Sequence, residues 1–233
     1  MSQLADGLVY YLAFLFSTVL HEAAHAWAAR RGGDPTAYHG GQVSLDPMPH
    51  IRREPVGMVL LPLISVAVTG WPFGFASAPY DPDWARRHPR RAAWMALAGP
   101  AANLALVVAT GLMINVGLMV GAFHAPDSVS FGHVTMANEA GVGDAAAFML
   151  GAFFSLNLAL FALNMIPLPP LDGSGALPLL LPERVVERYQ NFLWSQPLLG
   201  WVGIFVAWQV FDYVFHPVFL LAVNLLYPGV TYG

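Results

Sequence analysis

Apolar residues in this chain come in long blocks and not in the short alternations of a half-buried sheet. Five blocks, at residues 8–29, 56–78, 92–123, 145–168 and 197–227, approach the ~20 residues an α-helix needs to cross a bilayer. The second block is broken by Pro62 and by GWPFG at 70–74. The last is interrupted by Asp212 and by His216-Pro217, and reads as one long helix or two shorter ones. The connections are short, and residues 30–55 are rich in Gly, Pro and Arg, with GGQVSL at 40–45 as a candidate strand. The pattern predicts an all-α polytopic membrane protein, a bundle of about 4–6 transmembrane helices, with a re-entrant or short β-hairpin segment after the first helix. No repeat or soluble appendage is visible. Residues 1–233 therefore read as a single integral-membrane domain, with a core at 8–180 and C-terminal helices at 181–233. The start, MSQLADGLVY, lacks a basic n-region, so the first block is expected to be a retained span.

Composition sharpens this picture. Of 233 residues, 57% are hydrophobic and 10% charged, against about 25% charged in soluble domains. Mean hydropathy is +0.56. The formal charge of −4 and the absence of a basic groove-binding patch exclude a nucleic-acid partner. With no cysteine, disulfides, thiolate metal sites and a cysteine nucleophile are excluded too. All ten basic residues are arginine, and none lies inside an apolar block.

One block carries ionisable residues in a recognisable pattern. STVLHEAAHAWAARR at 17–31 contains His21, Glu22 and His25. Histidines four apart share a helix face, so both imidazoles can reach one ion, and the intervening glutamate can act as general base. Ionisable side chains within a span are costly and mark function. A catalytic zinc usually takes three protein ligands. The extended pattern HExxHxxGxxH is ruled out, because Ala28 and Arg31 occupy its Gly and last His positions. The third ligand is then to be sought among His39, His50, Asp46, Asp172 and Asp212. Asp172 stands out, since NMIPLPPLDGSG closes an apolar block with a Pro/Gly-rich break, and such a break is tolerated at membrane depth only beside protein or a water-filled cavity.

HEAAH in the first block, AGPAANL at 98–104 and LNMIPLPPLDG at 163–173 together resemble the site-2 protease family of intramembrane zinc metalloproteases. GGDPTAYHGGQVSLDPMPHI at 32–51, followed by GWPFGFA at 70–76, resembles its compact prokaryotic branch without a PDZ domain. The resemblance covers most of 8–180. It implies His21, His25 and Asp172 as ligands of one zinc ion per chain, Glu22 as the base that activates water, and Asn164 as a catalytic group that holds substrate or stabilises the oxyanion. For Gly99, Pro100 and Asn103 it implies close helix packing around the site, with interhelical hydrogen bonding the plainer reading of Asn103. The implied substrate is a membrane protein with a transmembrane segment, cut in or near that segment by a multi-pass enzyme of a prokaryotic cell membrane. Many compact relatives carry lysine where Ser77 stands, a departure in the loop expected to line the substrate.

Geometry adds a constraint. His25 and Asp172 each lie near the C-terminal end of a block, so those ends must share a side for one site to form. Residues 30–91 must then leave and return on that side, which makes 56–78 a re-entrant loop or a surface-lying element; a 56–78 that spans would instead place Arg30, Arg31, Arg52 and Arg53 opposite Arg86, Arg87, Arg90 and Arg91. On the re-entrant topology all ten arginines fall on this side and the arginine-free 124–143 on the other, as expected for an active site facing the cytoplasm. Two rival readings remain. A non-catalytic module that binds transmembrane helices has no need of Glu22, and a zinc transporter would show several ligand clusters along its spans.

Overall fold

The computed structural model describes residues 3–233. After the long helix α1 (Gln3–Gly32) come α2 (Thr36–His39), α3 (Pro47–Arg53), a π-helical turn (Val56–Leu60) running into α4 (Leu61–Thr69), and α5 (Pro82–Arg87). The second long helix, α6 (Pro89–Met119), leads through strands β1 (Phe123–His124) and β2 (Met136–Ala137) to the third, α7 (Val142–Asn164). The short α8 (Asp172–Ala176) and α9 (Glu183–Ser195) precede the fourth, α10 (Leu198–Leu226).

α1, α6, α7 and α10 are long and apolar enough to cross a membrane. Local sequence sets their ends: Arg30 and Arg31 sit in the last turn of α1, where cations complement the helix dipole, and Pro89 opens α6, where no N–H is needed. The interrupted last block is one continuous helix in spite of Pro217.

One end of the bundle collects the arginines of the chain. The carbonyl of Gly32, closing α1, accepts from Trp84 Nε1 (3.1 Å) and from the Arg91 guanidinium (3.2 Å) at the start of α6. Arg90 pairs with Glu183 of α9 at 3.5 Å, and the Arg86 guanidinium lies 4.8 Å over the Trp194 ring. Arg53 Nε donates to the Ser77 carbonyl at 3.2 Å. The connections 33–88 and 165–197 thus meet at one end, with every arginine of the chain. The opposite end holds a core of Ile114, Val134, Phe154 and Val223, tied by Tyr227 Oη to the Val134 carbonyl at 2.8 Å.

The expected re-entrant segment is present, as a helix with an extended return. Val56–Thr69 spans about 21 Å at 1.5 Å per residue, short of the ~30 Å hydrocarbon layer. The chain reverses at Gly70 (φ 76°), where Trp71 packs on Tyr10 and Phe131, and runs back extended so that Phe75 N–H donates to the Gly57 carbonyl at 3.1 Å. Both ends of the segment therefore lie together. GGQVSL, in contrast, forms no strand. The chain turns at Gly41 (φ 75°), Gln42 N–H closes on the Ala37 carbonyl, and the buried Gln42 side chain donates to the Ser77 carbonyl at 3.1 Å, so its polar groups serve the turn and not a ladder. The only sheet among the described residues pairs Phe123 with Ala137 and His124 with Met136, between α6 and α7.

The hairpin makes a topological prediction. In this cysteine-free chain, single cysteines at Ser44 and at Asp83 are expected to react with an impermeant maleimide from the same side of the membrane. Labelling from opposite sides would show that 56–78 crosses.

Candidate metal centre

His21 and His25 lie one turn apart on α1, buried against α6, and Asp172 is the first residue of α8. Each imidazole is oriented by the neighbouring helix. His21 Nδ1 is 2.6 Å from Asn103 Oδ1, and His25 Nδ1 is 2.7 Å from the Met95 carbonyl, both on α6. These oxygens only accept, so each histidine carries its proton on Nδ1 and turns the Nε2 lone pair inward. The two Nε2 atoms are 2.9 Å apart. Asp172 Oδ2 lies 3.1 Å and 3.3 Å from them, buried and without a hydrogen bond.

Three acceptor atoms thus converge on one point with no donor between them. Such an arrangement is repulsive unless positive charge sits there. Tetrahedral zinc, with bonds of about 2.0–2.1 Å, sets its ligand atoms about 3.3 Å apart, so this donor set fits such an ion in chemistry and in spacing.

The surrounding motifs make room for this approach. A Cβ at Gly99 would strike the Nε2 atoms of both histidines. Gly99 therefore forms the floor of the centre, and only a residue without a side chain lets α6 pass this close. A Cβ at Gly173 would meet the carbonyl oxygens of Met165 and Ile166, which explains the glycine after Asp172. α8 is pinned in turn by Tyr189 Oη on α9, which donates to the Ser174 carbonyl at 2.8 Å.

Asn103 is an interhelical hydrogen-bonding residue, as the plainer reading had it, but the group it holds is His21. Its Nδ2 donates to Asn157 Oδ1 (2.9 Å), and Asn157 Nδ2 donates to Ser17 Oγ (2.9 Å) and to the Phe153 carbonyl (2.8 Å). The chain His21–Asn103–Asn157–Ser17 thus joins α1, α6 and α7 through fully buried amides. Sequence reasoning missed Asn157 and Ser17. An amide inside an apolar block was the available signal.

The other candidates lie apart. Glu22 is buried beside His21 but outside the ligand trio. Asn164, the last residue of α7, is half-buried and donates Nδ2 to the Leu160 carbonyl at 3.0 Å. Asp46 caps α3, accepting from Met48 N–H at 2.9 Å. His39 is exposed at the end of α2 beside Tyr38. His50 is buried with Nε2 3.1 Å from the Ser44 carbonyl, and Asp212 is exposed midway along α10.

Residues 9–199 match the profile of peptidase family M50. The chain belongs to that family, the site-2 proteases. This M50 protein is 29% identical over 228 residues to "Putative zinc metalloprotease YwhC" of Bacillus subtilis, covering 89% of the chain and 91% of the relative. It is 33% identical over 186 residues to "Putative zinc metalloprotease Rip2" of Mycolicibacterium smegmatis, covering 78% and 61%. With "Putative zinc metalloprotease Rip2" of Mycobacterium tuberculosis H37Rv it shares 35% over 211 residues, covering 85% and 71%. No solved structure matches. The chain is therefore an integral-membrane metalloprotease. α6 and α7 are joined by residues 120–141 alone, which leaves no room for a PDZ domain.

Two substitutions test the packing around the centre. Asn103→Ala is expected to weaken zinc binding by roughly 10–100-fold, read by competition with a fluorescent chelator in detergent. Gly99→Ala should reduce zinc retention further, because its methyl group occupies the histidine contact. Unchanged zinc content in both would separate α6 from the centre.

Proposed function

We propose that this protein is an intramembrane endopeptidase that holds one zinc ion on His21, His25 and Asp172 and cleaves membrane-protein substrates in or near a transmembrane segment. The observation that carries the reading is the convergence of three unprotonated acceptors, each histidine being fixed by a donor bond on its far nitrogen. Zinc bound there supplies Lewis acidity to a water molecule and to the scissile carbonyl.

The remaining steps fall to the chain itself. Glu22, next to His21 and shielded from bulk solvent, takes a proton from the attacking water and returns it to the leaving amine. Asn164 uses one amide hydrogen on the Leu160 carbonyl and retains a second for substrate. Given to the developing oxyanion, such a bond is worth about 3–4 kcal/mol. The extended return of the hairpin, residues 72–81, offers backbone groups to an unwound substrate strand. Gln42 and Arg53 hold the Ser77 carbonyl on that segment, and Ser77 Oγ donates to Glu54 Oε1 at 2.7 Å.

Clustering of the arginines at the end that bears the centre supports a cytoplasm-facing site in a prokaryotic cell membrane. Hydrolysis is favoured over transport because the described residues hold one ligand trio, where a pathway needs a succession. It is favoured over passive binding because Glu22 has no other use at the site.

Glu22→Gln is expected to retain one zinc per chain and to lose cleavage of a reconstituted transmembrane substrate by on the order of 10²–10⁴-fold. His25→Ala should lose both zinc and cleavage. Persistent cleavage by zinc-loaded Glu22→Gln would remove the protease chemistry from this site.

A further inference from the structure

α9 divides its charges in a way that neither the zinc centre nor the bundle explains. Helical periodicity sorts its side chains into two faces. The inward face holds the buried Val186, the half-buried Tyr189 and Trp194, and Glu183, which pairs with Arg90 at 3.5 Å. Glu187 is turned the same way, lining a cleft with Arg86 and Pro89. The outward face carries Arg184 and Arg188, one turn apart, with Val185 and Phe192 beside them, all four exposed. The acids thus turn in and the bases turn out. Among the described residues neither outward arginine has an ion pair.

Such a face suits neither water nor lipid tails. Like charges at i and i+4 repel, and Phe192 and Val185 leave apolar surface exposed next to them. A headgroup layer satisfies both, since it takes apolar side chains at the acyl boundary and cations at the phosphates. The depth of α9 agrees. Exposed tryptophans mark a membrane interface, and here Trp27 stands near the end of α1, with Trp94 and Trp201 near the starts of α6 and α10. Only Gln196 and Pro197 separate α9 from α10, which keeps it at that level. Its two ends, Glu183 and Trp194, both meet the entrance to α6, at Arg90 and at Arg86, so α9 lies across that span and not along it.

We propose that α9 lies in the headgroup layer at the arginine-bearing end and binds anionic phospholipid headgroups through Arg184 and Arg188, and that this contact seats the segment carrying Asp172. Two cations flanked by apolar side chains complement phosphate flanked by acyl chains. The protein itself holds α9 lightly, because an exposed pair such as Arg90–Glu183 contributes little. Headgroup contact completes the seat. Tyr189 Oη, on the inward face, donates to the Ser174 carbonyl in α8, the helix that Asp172 begins. The position of α9 is thereby passed to the third zinc ligand. This last step rests on the centre proposed above, whereas the lipid contact rests on the membrane fold alone.

The test uses the full-length chain in nanodiscs of phosphatidylcholine, with or without about one-third phosphatidylglycerol. A nitroxide on Ser195→Cys, on the Arg188 side of α9, is expected to be shielded from an aqueous nickel chelate, roughly twofold more so with phosphatidylglycerol. Arg184→Gln/Arg188→Gln in that background should remove the lipid difference. Arg52→Gln/Arg87→Gln, which takes equal charge from the same end, should keep it. Zinc affinity, read by chelator competition, should be roughly fivefold tighter with phosphatidylglycerol. Tyr189→Phe should abolish that gain and leave the nitroxide response intact. Equal shielding in the two lipids, or a lipid difference that survives without Arg184 and Arg188, would overturn the headgroup contact. A nitroxide response with unchanged zinc affinity would overturn the coupling to Asp172. Failure to bind zinc in either lipid, with the nitroxide response present, would count against the centre and support the contact.

Discussion

Three lone pairs pointing at one another inside an apolar bundle need a cation, and they need a frame that keeps them from turning away before it arrives. That constraint organises the whole structure. His21 and His25 come from one helix, their orienting oxygens from a second, Asp172 from the chain beyond a third, and the second and third are linked by Asn103 and Asn157. Burial raises the stakes, because an unpaired polar group costs more in a low-dielectric interior than at a surface. Every helix end near the centre therefore has to lie at one depth, and the connection between α1 and α6 has to double back.

This accounts for features that look unrelated in the primary structure. The glycine of AGPAANL gives clearance beneath the imidazoles, and its asparagine holds one of them. The glycine after Asp172 lets α8 approach the end of α7. The hairpin at 56–78 returns to its starting end because the His25 and Asp172 ends share a side. The arginines gather where the polar connections gather, and they are tied down by the Gly32 carbonyl, Glu183 and Trp194.

Much of this was legible before any coordinates. Long apolar blocks announce spans because lipid demands them, and HEAAH announces a ligand pair because helical periodicity places His21 and His25 on one face. Asp172 could be singled out as a candidate third ligand by its Pro/Gly-rich context, yet its meeting with His21 across about 150 residues depends on packing that spacing does not encode. Asn157 and Ser17 stayed hidden for the same reason: one amide and one hydroxyl in apolar helices look alike whether they face lipid, a backbone carbonyl or a ligand's partner. GGQVSL misled because β-permissive residues flank a glycine turn whose polar groups are claimed by α2 and by Ser77. The continuity of α10 was undecidable from Asp212 and His216-Pro217, since a membrane helix can carry a proline where its carbonyl finds another partner.

The bonds that aim the two histidines have a consequence in time. They are made by Asn103 and by a backbone carbonyl, not by the ion, so the pocket is shaped by insertion and helix packing alone. Small zinc-dependent domains fold only as they bind, which fuses assembly with metallation. Here the imidazoles are aimed by contacts that form as the helices pack, so their orientation dates from assembly of the bundle.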